Sequence, residues 1–178
     1  MRVNLIITEC HYKQIQTELF PEENRNEHFG FGLAGVNFYQ DRCNLLLRKF
    51  ISADQSCLAT QTCASVKPKP DFVKYLWLLA KKSNSCFVDF HTHPFSSLNV
   101  RFSGIDDASE ARSFPQVCNL LGPGPHASVV LGKNSLDARW YNYKTKETEP
   151  VEQVKIISEK PITIIPTSSN LMAKNAKL

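Results

Sequence analysis

Two histidines separated by one residue are the feature of this sequence most able to carry chemistry. His91 and His93 end an apolar segment typical of a strand, and Pro94 stops that strand because it has no N–H for the ladder. Alternate residues of a strand face opposite sides, so both imidazoles share one face while Thr92 points away. Two imidazoles placed in this way can bind one cation. The sequence therefore predicts a metal site at a strand end beside a loop.

A third ligand is available from the segment Ser103-Gly-Ile-Asp106. A serine followed three residues later by an acidic residue is typical of a capped helix N-terminus, and we expect Ser103 to cap a helix here. The same helix start projects Asp106 as an anionic ligand, so the structural and functional interpretations are compatible. Two imidazoles and one carboxylate leave a tetrahedral zinc one position for water, which is the catalytic pattern.

Such a site also needs a base. Glu27, which immediately precedes a glycine-rich segment, is one candidate. Glu22 and Glu23 lie close to it in the chain, and spacing alone does not distinguish the three.

Length and charge exclude several other functions. The chain has 178 residues and a formal net charge of +4. It is too short for a (β/α)₈ barrel of about 250 residues, which the barrel metalloenzymes with a strand-borne His-x-His need. The Pro-Cys-x-x-Cys motif of the zinc deaminases is absent. Because the basic residues are dispersed, neither a nucleic-acid surface nor a nucleic-acid partner is predicted.

The N-terminus and the cysteines indicate the compartment. No apolar run is long enough to span a membrane, and the first residues lack the pattern of a signal peptide, so we expect a cytoplasmic protein with no membrane association. The six cysteines are then expected to be reduced. Cys43 and Cys86 lie in apolar runs and are predicted to be core residues.

Hydrophobic patterning predicts alternating strands and helices. Strands are expected at 3–8, 28–37, 44–53, 85–91, 127–131 and 138–142, helices at 12–20, 72–82 and 106–113, and a terminal hairpin at 154–157 and 162–165. Gly30, Gly32 and Gly35 weaken their strand and therefore indicate close packing against a neighbour. The polar segment 54–70 is expected to be a long loop, either a flap over the site or a disordered segment, and 167–178 a frayed tail.

Taken together, three segments resemble the JAMM motif of the JAB/MPN-domain metalloproteases. They are Glu27-His-Phe-Gly-Phe-Gly-Leu-Ala-Gly35, His91-Thr-His-Pro94 and Ser103-Gly-Ile-Asp106, and the order of strands and helices is also similar over residues 3–142. The loop between His93 and Ser103 is longer than in the commonest form of the motif. This resemblance selects Glu27 as the base over its two neighbours, and Asp106 over Asp107 as the ligand.

The resemblance implies a single α+β domain of the cytidine-deaminase-like JAB/MPN class, a twisted mixed β-sheet flanked by helices. The domain would span residues 1–145, with 146–178 as a C-terminal extension. It also implies that His91, His93 and Asp106 hold Zn²⁺, that Glu27 deprotonates the bound water and returns the proton to the departing amine, and that the Ser103 hydroxyl stabilises the oxyanion.

The implied activity is a zinc-dependent peptidase or isopeptidase. Its substrate would be the amide bond after the C-terminus of a ubiquitin-like protein, in conjugates or in a precursor. The chain is most similar to the small prokaryotic stand-alone forms, which act beside E1- and E2-like enzymes and in some cases in anti-phage defence. The alternative within the same fold is an inactive scaffold that binds ubiquitin-like or other partner proteins, although all five motif positions are present.

Overall fold

The strands and helices follow one another along the chain in an α+β order. A computed structural model describes residues 1–22 and 25–169. The α-helices are α1 (Glu9–Leu19), α2 (Pro70–Lys82) and α3 (Gly104–Leu121). The strands are β1 (Arg2–Thr8), β2 (Phe29–Tyr39), β3 (Arg42–Ser52), β4 (Leu58–Gln61), β5 (Val66–Pro68), β6 (Cys86–Thr92), β7 (Ala127–Leu131), β8 (Leu136–Asn142), β9 (Glu147–Pro150), β10 (Gln153–Ile157) and β11 (Ile162–Ile164).

Nine of the strands form one curled mixed sheet in the order β11-β10-β1-β3-β2-β6-β7-β8-β9. Pairing is parallel between β1 and both of its neighbours and between β6 and β7, and antiparallel elsewhere. The predicted mixed sheet flanked by helices is therefore confirmed. β6, which carries the histidine pair, lies near the middle of the sheet between β2 and β7.

The core occupies both faces of this sheet. On one face, Ile15 and Leu19 of α1 pack with residues such as Val88. On the other face, Leu76 of α2 and Val117 of α3 pack with Phe31 and Phe87. Neighbouring residues of β6, such as Phe87 and Val88, belong to the core on opposite faces of the sheet. The sheet is therefore the middle layer, with α1 on one side and both α2 and α3 on the other.

The C-terminal segment belongs to this sheet and is not an extension outside it. The predicted hairpin forms as β10 and β11, and β10 pairs in parallel with β1, Asn4 opposite Gln153. Val151, Val154 and Ile156 are buried. Beyond the boundary predicted at residue 145, the chain therefore continues to add strands to the sheet and apolar side chains to the core. Residues 170–178 of the predicted tail lie outside the described residues.

Two expectations are corrected. Segment 54–70 is not a structureless loop: Asp54 caps a short 3-10 helix (Gln55–Cys57), and β4 and β5 then pair as a separate hairpin. Helix α3 continues well past the predicted end at residue 113 and includes Pro115, since its apolar face remains buried up to Cys118. Among the helices of the described residues, none has the length and apolar composition required to cross a membrane.

The glycines of β2 pack closely, as predicted. A Cβ atom added at Gly32 would lie 2.5 Å from Leu47 Cδ1 and 2.9 Å from Phe90 Cε2. At Gly35, in contrast, the added atom would meet the side chain of Arg48, which is exposed. Of these two positions, only Gly32 is confined by core side chains that cannot move into solvent.

We expect Gly32→Ala to lower the free energy of unfolding by about 1–3 kcal/mol, because overpacking a dense core forces side chains from their preferred rotamers. Urea denaturation measures the change. Gly35→Ala in the same strand is the matched control, and its effect should be clearly smaller because the Arg48 guanidinium can move away. Equal losses in both variants would contradict the packing explanation.

Candidate metal centre

The end of β6 brings the two predicted histidines together with the first turn of α3. The His91 and His93 ring centroids lie 5.1 Å apart. His91 Nε2 is 3.2 Å from Asp106 Oδ1, and His93 Nε2 is 3.6 Å from Asp106 Oδ2. One ligand atom from each residue lies within 4.8 Å of the other two. The three residues can therefore hold one metal ion, as the alternation of the strand predicts.

Asp106 is positioned by the helix cap. The Ser103 hydroxyl oxygen accepts a hydrogen bond from the Asp106 N–H (3.3 Å). In return, Asp106 Oδ2 accepts from the Ser103 backbone N–H (2.6 Å) and from its hydroxyl (2.8 Å). This is the predicted capping box. The serine hydroxyl hydrogen is consequently directed at Asp106, while the other carboxylate oxygen faces His91.

Strand pairing brings Glu27 to the same place. β2 and β6 are antiparallel with Phe29 opposite His91. Continuing this register two residues beyond Phe29 and His91 places Glu27 opposite His93. Glu27 Oε1 lies 3.7 Å from His93 Nε2. Glu22 is exposed in the turn after α1, and Glu23 lies outside the described residues. The structure therefore places Glu27 at the metal centre, the residue that the family resemblance selects.

The β4–β5 hairpin encloses Glu27. The Glu27 backbone N–H donates to the Thr62 carbonyl (2.8 Å), and the Glu27 carbonyl accepts from Gln61 Nε2 (3.1 Å). The Val66 backbone N–H lies close enough to the Glu27 carboxylate to favour its ionised form. Glu27 is only 7% exposed. Burial raises the pKa of Glu27 to about 7, although the His91 charge and the Val66 N–H act in the opposite direction.

The pKa values of the two imidazoles shift in opposite directions. Burial lowers the pKa of His91, but the adjacent carboxylates of Asp106, Asp89 and Glu27 outweigh it and raise that pKa overall. Burial and the nearby His91 lower the pKa of His93. For Asp106, burial acts upward, yet the neighbouring His91 and Ser103 hold its pKa well below the usual range. An ionised carboxylate beside two imidazoles is the donor set of a cation site.

One buried atom supports a metal directly. His91 is 6% exposed, and its Nε2 makes no well-aligned hydrogen bond within the described part of the chain, although Asp106 Oδ1 lies 3.2 Å away. A buried ring nitrogen without a hydrogen-bond partner is costly. A cation among His91, His93 and Asp106 would accept its lone pair, so the residues fit a bound metal cation.

Arg139 of β8 fastens α3 to the sheet next to the ligands. Its Nη1 donates to Asp107 Oδ1 (2.7 Å), and its Nε is 2.7 Å from Glu110 Oε2, one turn further along α3. The guanidinium carbon lies 3.8 Å from the centre of the Phe102 ring. Asp107 is thereby engaged by Arg139 and Asp106 is left for the metal centre, as expected. No sequence pattern marks Arg139, because its partners are distant in the chain.

A further carboxylate, that of Asp89, lies in β6 on the same face as the histidines. Asp89 precedes His91 by two residues in β6 and accepts a hydrogen bond from the Ser128 hydroxyl of β7 (2.8 Å). Burial raises the pKa of Asp89 to about 6 and that of Glu110 to about 7. The sequence analysis does not single out Asp89, although the alternation that pairs the histidines also places Asp89 on their face.

The metal centre opens into a cleft of about 360 Å³. Its walls come from the ends of β2 and β6, the β4–β5 hairpin, and helices α2 and α3. A cleft of this size is within the range of small-ligand sites. Ligand atoms can therefore reach the metal centre from solvent.

Comparisons with known proteins identify no family. No family model matches the chain, and no curated protein matches it. Among solved structures, the solution structure of protein DSY2949 from Desulfitobacterium hafniense is similar, with 15% sequence identity and a TM-score of 0.48. The match covers 87% of this chain and 94% of that one. At this level of similarity, only the geometry of the site can support a function.

We expect the protein to bind about one Zn²⁺ per chain, with His91→Ala weakening the affinity by more than about 100-fold because a direct ligand is lost. Isothermal titration calorimetry with Zn²⁺ measures both quantities. His11→Ala on α1 is the control and should bind as the wild type does. A His91→Ala variant with wild-type affinity would show that the ion binds elsewhere.

Proposed function

We propose that this protein is a zinc-dependent amide hydrolase of the JAB/MPN type that cleaves the bond after the C-terminus of a ubiquitin-like protein. One observation carries the proposal: the buried carboxylate of Glu27, from the segment just before β2, lies 3.7 Å from a residue of the three-ligand centre. A structural metal site needs no free carboxylate beside its ligands, whereas hydrolysis requires a base there.

His91, His93 and Asp106 would hold the metal. Zn²⁺, when bound, supplies a Lewis acid that polarises the substrate carbonyl and lowers the pKa of water to about 7. Two imidazole nitrogens and one carboxylate form a three-ligand set of the kind found in catalytic zinc sites. The choice of zinc over other divalent ions rests on this donor chemistry and on the resemblance to the JAMM motif.

Glu27 would transfer the proton. Its pKa of about 7 suits a group that accepts a proton from water and delivers it to a departing amine at neutral pH. The hairpin holds the Glu27 backbone through Thr62, and the carboxylate lies 3.7 Å from His93 Nε2. If the departing amine is the ε-amino group of a lysine, the reaction is isopeptide cleavage.

Ser103 would stabilise the developing oxyanion. In the structure its hydroxyl donates to Asp106. Rotation about χ1 or about the C–O bond turns this hydrogen away from Asp106. The Asp106 carboxylate still accepts the hydrogen bond from the Ser103 backbone N–H. The hydroxyl can then donate to a substrate oxygen without releasing the ligand carboxylate.

A macromolecular substrate is supported by the surface around the site. Phe95 and Leu98, on the segment after His93, and Ile105, in the first turn of α3, are each more than 60% exposed. Exposed large apolar side chains beside a catalytic cleft favour docking of a protein over docking of a small polar metabolite. The ubiquitin-like identity of that protein, the E1- and E2-like partners and the cytoplasmic location are proposed from the motif.

Glu27→Gln should retain zinc affinity within about threefold but lose at least about 10²-fold in turnover, since the amide cannot accept a proton. The assay measures release of a lysine-linked fluorophore from the C-terminus of a ubiquitin-like protein. Glu22→Gln, in the exposed turn, is the matched control and should keep full activity. An active Glu27→Gln variant would assign the base elsewhere, and a zinc-loaded but inactive wild type would favour the scaffold alternative.

Ser103→Ala should lower turnover by about 10²–10³-fold if the hydroxyl is an oxyanion donor. Ser103→Thr retains both the hydroxyl and the helix cap and should recover most of the activity. Thermal unfolding of both variants separates the two roles of the serine. A loss of melting temperature without a loss of turnover in Ser103→Ala would leave only the capping role.

A further inference from the structure

Phe102, the residue before Ser103, contacts one of the three candidate metal ligands. Its ring and that of His91 meet at an angle of 60° with 5.9 Å between their centroids, which is within the range of an aromatic pair. Phe102 does not line the cleft, whereas Ser103 and Ile105 beside it do. Its contact with the metal centre is therefore separate from the surface that a substrate would touch.

Packing in the core does not account for the position of Phe102. The side chain is half-buried and belongs to none of the three apolar clusters found among the described residues. An aromatic ring that lies outside these clusters and against a metal ligand indicates a role at the metal centre.

Arg139 confines the Phe102 ring. Its guanidinium carbon lies over the ring, 3.8 Å from the centre, which is a cation–π distance. The Arg139 side chain is 16% exposed, and its Nη2 is buried without a hydrogen-bond partner in the described part of the chain. The contact with Phe102 is therefore part of what holds the guanidinium, and each of the two side chains restricts the other.

The His91 imidazole needs a neighbour of this kind. Its Nε2 makes no well-aligned hydrogen bond within the residues that the structure describes. The χ2 torsion of histidine has broad minima, so the backbone of β6 does not by itself set the direction of the ring nitrogens. A second ring beside it, 5.1 Å away, is that of His93, which is itself a candidate ligand. Phe102 thus restricts His91 without being a ligand.

We propose that Phe102 is a positioning residue of the metal centre: held by Arg139, its ring keeps the His91 imidazole directed at the cation. A preset ligand binds more tightly because it loses less conformational freedom on binding. The proposal rests on the cation site formed by His91, His93 and Asp106 and not on the hydrolysis proposed above.

The zinc affinity of Phe102 variants tests the proposal. Phe102→Leu keeps an apolar side chain but removes the ring, and it should weaken Zn²⁺ binding by at least about 10-fold, as loss of outer-shell support does in other metal sites. Phe102→Tyr keeps the ring and should retain most of the affinity. Isothermal titration calorimetry measures each protein.

The matched control is Phe95→Leu, the same change at a position 66% exposed in the segment that follows His93. It should bind Zn²⁺ as the wild type does. Wild-type affinity in Phe102→Leu, or an equal loss in Phe95→Leu, would overturn the proposal.

A spectroscopic measurement separates positioning from a contribution to stability alone. Co²⁺ can replace Zn²⁺ as a probe, because its visible absorption depends on the geometry of its ligands. We expect the bands of Co²⁺ bound to Phe102→Leu to differ from those of the wild type, at a temperature where the metal-free variant is fully folded by circular dichroism. A lower melting temperature with wild-type bands and wild-type zinc affinity would leave Phe102 a structural role only and overturn the proposal.

A double-mutant cycle tests the part of Arg139. Arg139→Lys keeps a charge for Asp107 and Glu110 but loses the planar face that stacks on Phe102. It should weaken Zn²⁺ binding in the wild type and add little in Phe102→Leu, a coupling of about threefold or more in affinity. Equal losses in both backgrounds would show that Arg139 acts through α3, which would overturn its place in the proposal.

The outcomes separate this proposal from the hydrolase. Zinc binding that depends on Phe102, in a protein that cleaves no amide, would retain the positioning role and reject the hydrolase. Amide cleavage, with wild-type zinc affinity and wild-type Co²⁺ bands in Phe102→Leu, would retain the hydrolase and overturn the positioning role. A wild type without zinc affinity would overturn both.

Discussion

The Asp106 carboxylate joins the first turn of α3 to the end of β6, and the whole site depends on that connection. One of its oxygens accepts from the backbone and hydroxyl of Ser103, and the other faces His91. A ligand on a loop would have to lose conformational freedom on binding an ion. Here the helix cap has already fixed the carboxylate, so its position follows from local backbone geometry. Arg139 then fixes the helix itself, through Asp107 and Glu110, to the sheet.

Glu27, the proposed base, reaches the centre by a different route, which is long-range strand pairing. His28 and Thr92 are joined twice: each backbone N–H donates to the other residue, to the Thr92 hydroxyl in one case and to the His28 carbonyl in the other. In the register this pair lies between the Phe29–His91 pair and the position where Glu27 faces His93. Any slip of β2 against β6 would move Glu27 away from His93, so the register that builds the sheet also sets the chemistry.

The sequence predicts those parts of the site that depend on local geometry. Alternation pairs His91 with His93, and the spacing from Ser103 to Asp106 predicts the cap. Glu27 could not be chosen over its neighbours by spacing, because its place depends on the β2–β6 register. Arg139 and the β4–β5 hairpin could not be predicted either: the arginine acts through residues far along the chain, and the hairpin is too short and polar for periodicity to identify. Most strands and helices were predictable, whereas their neighbours in the sheet were not.

The parallel pairing of β1 with β10 has a consequence for the newly made chain. Asn4 is opposite Gln153, so one side of the first strand lacks its partner until nearly all described residues have left the ribosome. Contacts between such distant residues slow folding, because a long loop must close before they form. In the interval β1 presents unpaired backbone groups and apolar side chains to other molecules. The nascent protein thus keeps one open edge of β1, where aggregation or chaperone binding can begin, until β10 emerges.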